Sequence, residues 1–328
     1  MKSIPNKWIR LLELIRPDVL PALVSGPWLM VFLAFGIEPA DRRNPALDAM
    51  GLLPCLLYSA VVAVGLGIFM MALNDALDAR HDRAFEPDRP IPSGHVTQRA
   101  AFGLAMAALL VALGASLSFG SVSVVLALVA AGAIVFYNVA GRFVPAVGVI
   151  TLGLALALMM VIPNPKLAFA WPVLLTMTHV IAASTLRYFL AGKRPRLTPI
   201  NGWGICVGWA FWVMVVLVLI RVRTDGITHE GLGAVWVGPT TAATAYVLIT
   251  WLMLGPTSLA SRARHGTAAR FSRLAIAWLI IFDASWLLST GLWWQGLVLL
   301  IMPLIGLLRS PQSDPQQHAR SARPDVSV

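Results

Sequence analysis

Asn74, Asp75, Asp78 and Asp82 close a long apolar run, and five acids in all fall within the fourteen positions from Asp75 to Asp88. On a helix, positions 75, 78 and 82 lie three and four apart, which sets three carboxylates on one face. Stacked like charges repel, and the repulsion asks for a cation. Hard oxygen donors of this kind suit Mg²⁺, which keeps several waters and shares its shell with substrate phosphates. The stretch Pro87-Asp88-Arg89-Pro90-Ile91-Pro92-Ser93-Gly94 follows. Three prolines and a closing glycine make it a rigid, non-helical loop. The plainer alternative is an acidic, solvated loop neutralised by Arg80, Arg83 and Arg89 through surface pairs.

The elements that must position these groups are set by composition. A 328-residue chain that is 58% hydrophobic and 12% charged, with apolar runs near twenty residues, reads as an all-α, polytopic membrane helical bundle. Ten runs qualify as spans: 17–37, 50–73, 100–118, 121–138, 143–162, 170–190, 203–221, 233–254, 272–289 and 292–308. Only Thr290 and Gly291 separate the last two, which form either a tight hairpin or one broken helix, giving nine or ten spans. Residues 1–309 make a single transmembrane domain, and the polar, proline-containing tail 310–328 reads as disordered. The basic N-terminal stretch lacks a small-residue cleavage site, so no cleavage is expected.

Positive residues are retained on the cytoplasmic side of a membrane. With the N-terminus inside, 20 of the 25 Lys and Arg residues fall on that side, and only Arg42, Arg43, Lys166, Arg221 and Arg223 on the other. The expected location is therefore an inner membrane with a cytoplasmic N-terminus. The net charge of +10 fits basic loops facing anionic lipid, and no soluble basic-aromatic stretch suggests nucleic acid. Cys55 and Cys206 lie in or beside apolar runs and read as packing residues. The six histidines show no ligand spacing, although His179 lies within a span and could face a cavity. The tryptophans mark interfaces, and Gly103, Gly114, Gly132 and Gly153 are expected at close helix contacts.

The order Asn-Asp-x-x-Asp-x-x-x-Asp at a span's end, followed by Arg-Pro-x-Pro-Ser-Gly, resembles the first aspartate-rich motif of the UbiA superfamily of intramembrane prenyltransferases. Arg16-Pro17 resembles that family's lead-in to its first helix. Tyr137 with Gly141-Arg142 is similar to the Tyr and Lys/Arg placed between its fourth and fifth helices. The likeness spans roughly residues 10 to 200. It implies Mg²⁺-dependent transfer of a prenyl group from an isoprenoid diphosphate to a small or lipid acceptor, through an allylic carbocation. Asn74, Asp75, Asp78 and Asp82 would then be catalytic metal or metal-water ligands. Arg83, Arg89, Tyr137 and Arg142 would serve the diphosphate, because breaking a C–O bond to diphosphate needs its developing charge neutralised.

One part of the pattern is missing. Where the family carries a second acidic motif, this chain reads Ser184-Thr185-Leu186-Arg187-Tyr188-Phe189-Leu190-Ala191-Gly192-Lys193-Arg194-Pro195-Arg196, and no acid occurs between Asp88 and Asp225. Either Arg187, Lys193, Arg194 or Arg196 binds diphosphate in place of a second metal, or this basic group neutralises Asp75 and Asp78 and the protein carries an isoprenoid or other lipid without catalysis. Divergent UbiA-like proteins of the kind called EboC look similar in this respect. A transporter with a coincidental acidic loop is a third reading. Asp283, an acid inside the ninth run, is either functional or paired with a hydroxyl or arginine.

The charge split predicts that loops 74–99, 187–202 and 255–271 share one face. Single-cysteine labelling of intact and permeabilised cells should modify all three from the same side, and one loop reached only from the opposite side contradicts the topology.

Overall fold

The computed structural model describes residues 14–41, 43–166, 169–191, 197–224, 235–255 and 264–309. Ten long helices appear among them, and no strand: α1 (Leu20–Gly36), α2 (Leu52–Phe85), α3 (Gln98–Ser116), α4 (Ser121–Val139), α5 (Pro145–Val161), α6 (Trp171–Leu190), α7 (Pro199–Thr224), α8 (Val237–Met253), α9 (Arg264–Ser289) and α10 (Trp293–Arg309). Each corresponds to one of the ten apolar runs. Six are long and apolar enough to cross a membrane, and the other four are shorter apolar helices. The chain is an all-α, polytopic membrane bundle.

Local signals fix the helix ends. Pro21, Pro145 and Pro172 lie in the first turns of α1, α5 and α6, where a missing N–H removes no helical bond. Thr97 caps α3 by accepting the Ala100 N–H at 3.1 Å. After α9, Gly291 takes a φ of 80°. The Leu292 N–H then reaches the Leu287 carbonyl at 2.9 Å, and Gly291 N–H the Leu288 carbonyl at 3.3 Å. This is a glycine-terminated helix end, and α10 packs back along α9. The last two runs are therefore a hairpin, not one broken helix.

Helices α1 to α6 pack as successive neighbours, and α9 closes the ring by touching both α6 and α1. Outside it, α7 leans on α5, α8 on α9, and α10 on α9 and α1. One buried cluster joins α1, α5, α6 and α9; a second joins α1 to α5. At one end, Asn44 ties three connections together. Its side-chain amide donates to the Phe119 and Pro163 carbonyls at 2.9 and 3.1 Å, and its backbone N–H donates to Asn164 Oδ1 at 3.0 Å. Asp75 lies towards the other end of α2.

Close approach of the helices depends on glycines, though mostly not those expected. A Cβ on Gly65 would stand 2.8 Å from the Ala108 carbonyl and 2.9 Å from Ala112 Cβ, and one on Gly153 would stand 2.7 Å from Ile181. Gly103, Gly114 and Gly132 face open space instead. Small size alone does not tell which face of an apolar helix meets a neighbour and which meets lipid. Gly65→Ala should therefore cost about 1–3 kcal/mol, since backbone cannot yield as a side chain does. Gly103→Ala should be neutral or stabilising by up to about 1 kcal/mol. Thermal melting in detergent checks both.

Candidate functional site

At 34 residues, α2 is about 50 Å long, against about 30 Å of hydrocarbon. Its final turns therefore extend past the apolar run, and they carry Asn74, Asp75, Asp78 and Asp82. Asp75 and Asp82 are only 6% and 5% exposed, although both are charged residues at a helix end. Asn74 and Asp78 are half-buried on the same stretch. A buried carboxylate needs partners, and guanidinium groups supply them. Arg16 Nη2 donates to Asp75 Oδ1 at 2.8 Å. Arg89 Nη1 donates to Asp82 Oδ2 at 2.9 Å and lies 3.8 Å from Asp75 Oδ1, while its Nε pairs with Glu86. The Asn74 amide adds a long contact to Asp75 at 3.4 Å.

The proline loop holds Arg89 in place. Ser93 Oγ donates to the Arg89 carbonyl at 2.7 Å, and Gln98 Nε2 donates to the Ala76 carbonyl at 2.9 Å. Beneath the loop, Ile91 and Val96 are buried against Leu14, Ala76, Ala79 and Ala101, and Gly94 turns the chain at a φ of 77°. Burial opposes the Arg89 charge, but Glu86, Asp82 and Asp75 together hold its guanidinium above the ordinary arginine range. Arg16 is the one non-glycine residue with a positive φ, 46°, among the described residues.

The structure thus brings together Asn74, Asp75, Asp82 and Arg89, and adds Arg16 and Glu86 as charge partners. Arg83 is exposed and makes none of these contacts. Tyr137, at the end of α4, comes within electrostatic reach of Tyr188 on the last turn of α6. Arg187, beside Tyr188, is exposed. Arg142 sits in the turn Gly141–Phe143, but its side chain lies outside the described residues, as do Lys193, Arg194 and Arg196. Sequence reasoning missed Tyr188, whose signal was only its place in the family's second-motif position. It also missed Asn138, fully buried next to Tyr137, with a side-chain oxygen that has no hydrogen-bond partner among the described residues.

Among the described residues, no three acids, histidines or cysteines converge on one metal position. That excludes a closed protein cage built from those residues. It fits the looser habit of Mg²⁺, which uses one or two carboxylates and takes its other ligands from phosphate and water, and the hard oxygens of Asn74, Asp75 and Asp78 suit such an ion. His179 is buried in the bundle. Its Nε2 lies 2.9 Å from the Ala275 carbonyl, and its ring packs on Tyr246 and Phe282.

A family model described as the UbiA prenyltransferase family matches residues 29–194. Among solved structures, a digeranylgeranylglyceryl phosphate synthase is similar at 16% identity and a TM-score of 0.57, over 87% of this chain and 98% of its own. A UbiA homologue from Archaeoglobus fulgidus, solved with GPP and Mg²⁺, is similar at 17% identity and a TM-score of 0.52, over 84% and 99% of the two chains. An apo UbiA homologue from Aeropyrum pernix K1 is similar at 18% identity and a TM-score of 0.50, over 83% and 97%. At such identities the likeness shows the fold. No curated protein sequence matches.

The contact between Arg89 and Asp82 predicts strong coupling. Asp82→Ala and Arg89→Ala should each lower stability, and the double variant should lose less than their sum, with a coupling of about 1–2 kcal/mol given that Arg89 is partly solvated. A double-mutant cycle of melting temperatures in detergent measures it.

Proposed function

The chain belongs to the UbiA prenyltransferase family, and from that premise we propose that it transfers a prenyl group from an isoprenoid diphosphate to a small or lipid acceptor, with Mg²⁺ as the metal. The observation that carries this reading is the buried acidic stripe at the end of α2, held by guanidinium groups under a fixed proline loop. The ligands of the Archaeoglobus fulgidus homologue, GPP and Mg²⁺, support it.

Asn74, Asp75, Asp78 and Asp82 are the residues that would hold the metal, which when bound neutralises charge on the departing diphosphate. Arg89 is the phosphate contact. Its guanidinium already hangs over the acids, and its three carboxylate neighbours keep it charged. Arg83, Tyr137 and Arg142 stand as further diphosphate contacts, and Arg187, Lys193 and Arg194 take the place of the family's second acidic motif. A guanidinium there binds phosphate oxygens in pairs. The apolar interior of the ring excludes water, so that an allylic cation meets the acceptor and not solvent. The site would face the cytoplasm of an inner membrane, with the N-terminus on the same side and membrane lipid around the ring.

A second reading is favoured by one feature. Asp75 and Asp82 are already in ion pairs, and the end of α6 offers Arg187 where an acid would serve a metal. Such a protein would carry an isoprenoid or other lipid metabolite without reacting it.

Purified protein in nanodiscs should release diphosphate from at least one member of a panel of prenyl diphosphates, and only with Mg²⁺. Asp78→Asn should lower turnover about 100-fold, and Arg187→Ala should raise the KM for the donor about tenfold. No release from any donor, with saturable prenyl diphosphate or prenol binding retained, would establish the carrier instead.

A further inference from the structure

Helices α1, α5, α6 and α9 meet around a small cavity whose lining includes Leu23, Gly26, Met159, Met160, Thr176 and Asp283. Asp283 is 3% exposed, and among the described residues no basic side chain lines the space with it. Its Oδ2 lies 2.6 Å from Ser25 Oγ, which also lies 3.1 Å from the Ala22 carbonyl. A hydroxyl has a single proton to give. The carboxyl and the serine hydroxyl thus form a hydrogen-bonded pair between α9 and α1.

Two polar atoms are then left over. Asp283 Oδ1 and Thr176 Oγ1 have no hydrogen-bond partner among the described residues, and both residues line the cavity. Within a bilayer such atoms have no bulk water to turn to. The carboxyl oxygen accepts and the threonine hydroxyl both gives and accepts, so together they match a group that does both, another hydroxyl.

We propose that this cavity is the site that receives the hydroxyl group of a neutral, membrane-soluble acceptor, held by Asp283 and Thr176. Calling the occupant the acceptor rests on the prenyltransferase reading; the hydroxyl site itself does not. Its position fits. Leu23 packs on Gly67 of α2, where a Cβ would stand 2.5 Å away, and Gly67 is eight residues, about 12 Å, along the helix from Asp75. A donor anchored at Asp75 by its diphosphate points its chain towards this level. Met159 and Met160 form an adaptable wall, since methionine fills and vacates space at little cost. The substrate class this selects is an alcohol, phenol or quinol. A carboxylate head would meet the Asp283 carboxyl as a second acid.

The test uses 1-decanol against decyl methyl ether, with no prenyl diphosphate present, on protein in nanodiscs. Binding is followed by tryptophan fluorescence and by the carboxyl C=O stretch in infrared difference spectra. The alcohol should bind about fivefold or more tighter than the ether, the worth of one hydrogen bond. It should also shift a carboxyl band that Asp283→Asn lacks. Asp283→Asn, which keeps a carbonyl oxygen, should retain the preference, and Asp283→Leu should abolish it. Equal binding of alcohol and ether to the wild-type protein, or a preference that survives in Asp283→Leu, overturns the proposal. Should the leucine variant fail to fold, the wild-type comparison and the asparagine spectrum still decide. Diphosphate release without an alcohol preference removes this inference and leaves the enzyme reading standing. An alcohol preference without diphosphate release upholds the hydroxyl site in a carrier.

Discussion

Two nearly buried carboxylates at the end of an apolar helix are the constraint around which one end of this molecule is built. Removing a carboxylate from water costs several kcal/mol unless it is paired, and Arg16 and Arg89 supply that pairing to Asp75 and Asp82. Arg16 reaches Asp75 from a left-handed backbone conformation (φ 46°), which costs a non-glycine residue of order 1–3 kcal/mol. It stands just before Pro17, which itself disfavours a helical conformation at Arg16. The lead-in to α1 is thus bent to serve α2. The proline loop serves it from the other side, with Ile91 and Val96 buried and the Arg89 carbonyl bonded to Ser93.

Away from that end the bundle is held by contact, because lipid gives helices no hydrophobic reason to associate. Gly65 lets α3 lie against α2, and Gly153 lets α6 lie against α5. At the far end, Asn44 and Asn164 bind three connections into one knot. Closure falls to α9, which carries Asp283 to Ser25 of α1. A polar bond in the middle of an apolar bundle fixes register in a way that interchangeable apolar contacts do not.

Apolar runs of membrane length were sufficient to place all ten helices, because each crossing must satisfy its own backbone. The limits of the reading were limits of distance. Nothing local in the sequence joins Arg16 to Asp75 across 59 positions, or Ser25 to Asp283 across 258. A hydroxyl partner for Asp283 was among the expected outcomes, but only the fold identifies Ser25. Gly103, Gly114 and Gly132 were misassigned for a related reason: on a helix apolar all round, no polar face marks which side meets lipid. His179 was undecided between cavity and core, and a carbonyl on α9 together with two aromatic rings places it in the core.

On the proposed function, an arginine in place of an acid at the end of α6 would change what the acidic end of α2 attracts. Unit charges 4 Å apart interact by about 4 kcal/mol at the effective dielectric of a protein surface. Arg89, 3.8 Å from Asp75, is therefore a serious competitor for any cation arriving there alone. Under that reading a diphosphate would reverse the balance, offering Arg89 and Arg187 negative charge while leaving the carboxylates to a metal. Acids on both helices would favour metal first and diphosphate second. With acids on one helix and an arginine on the other, each ligand would remove the repulsion facing its partner, so electrostatics would favour their arrival together.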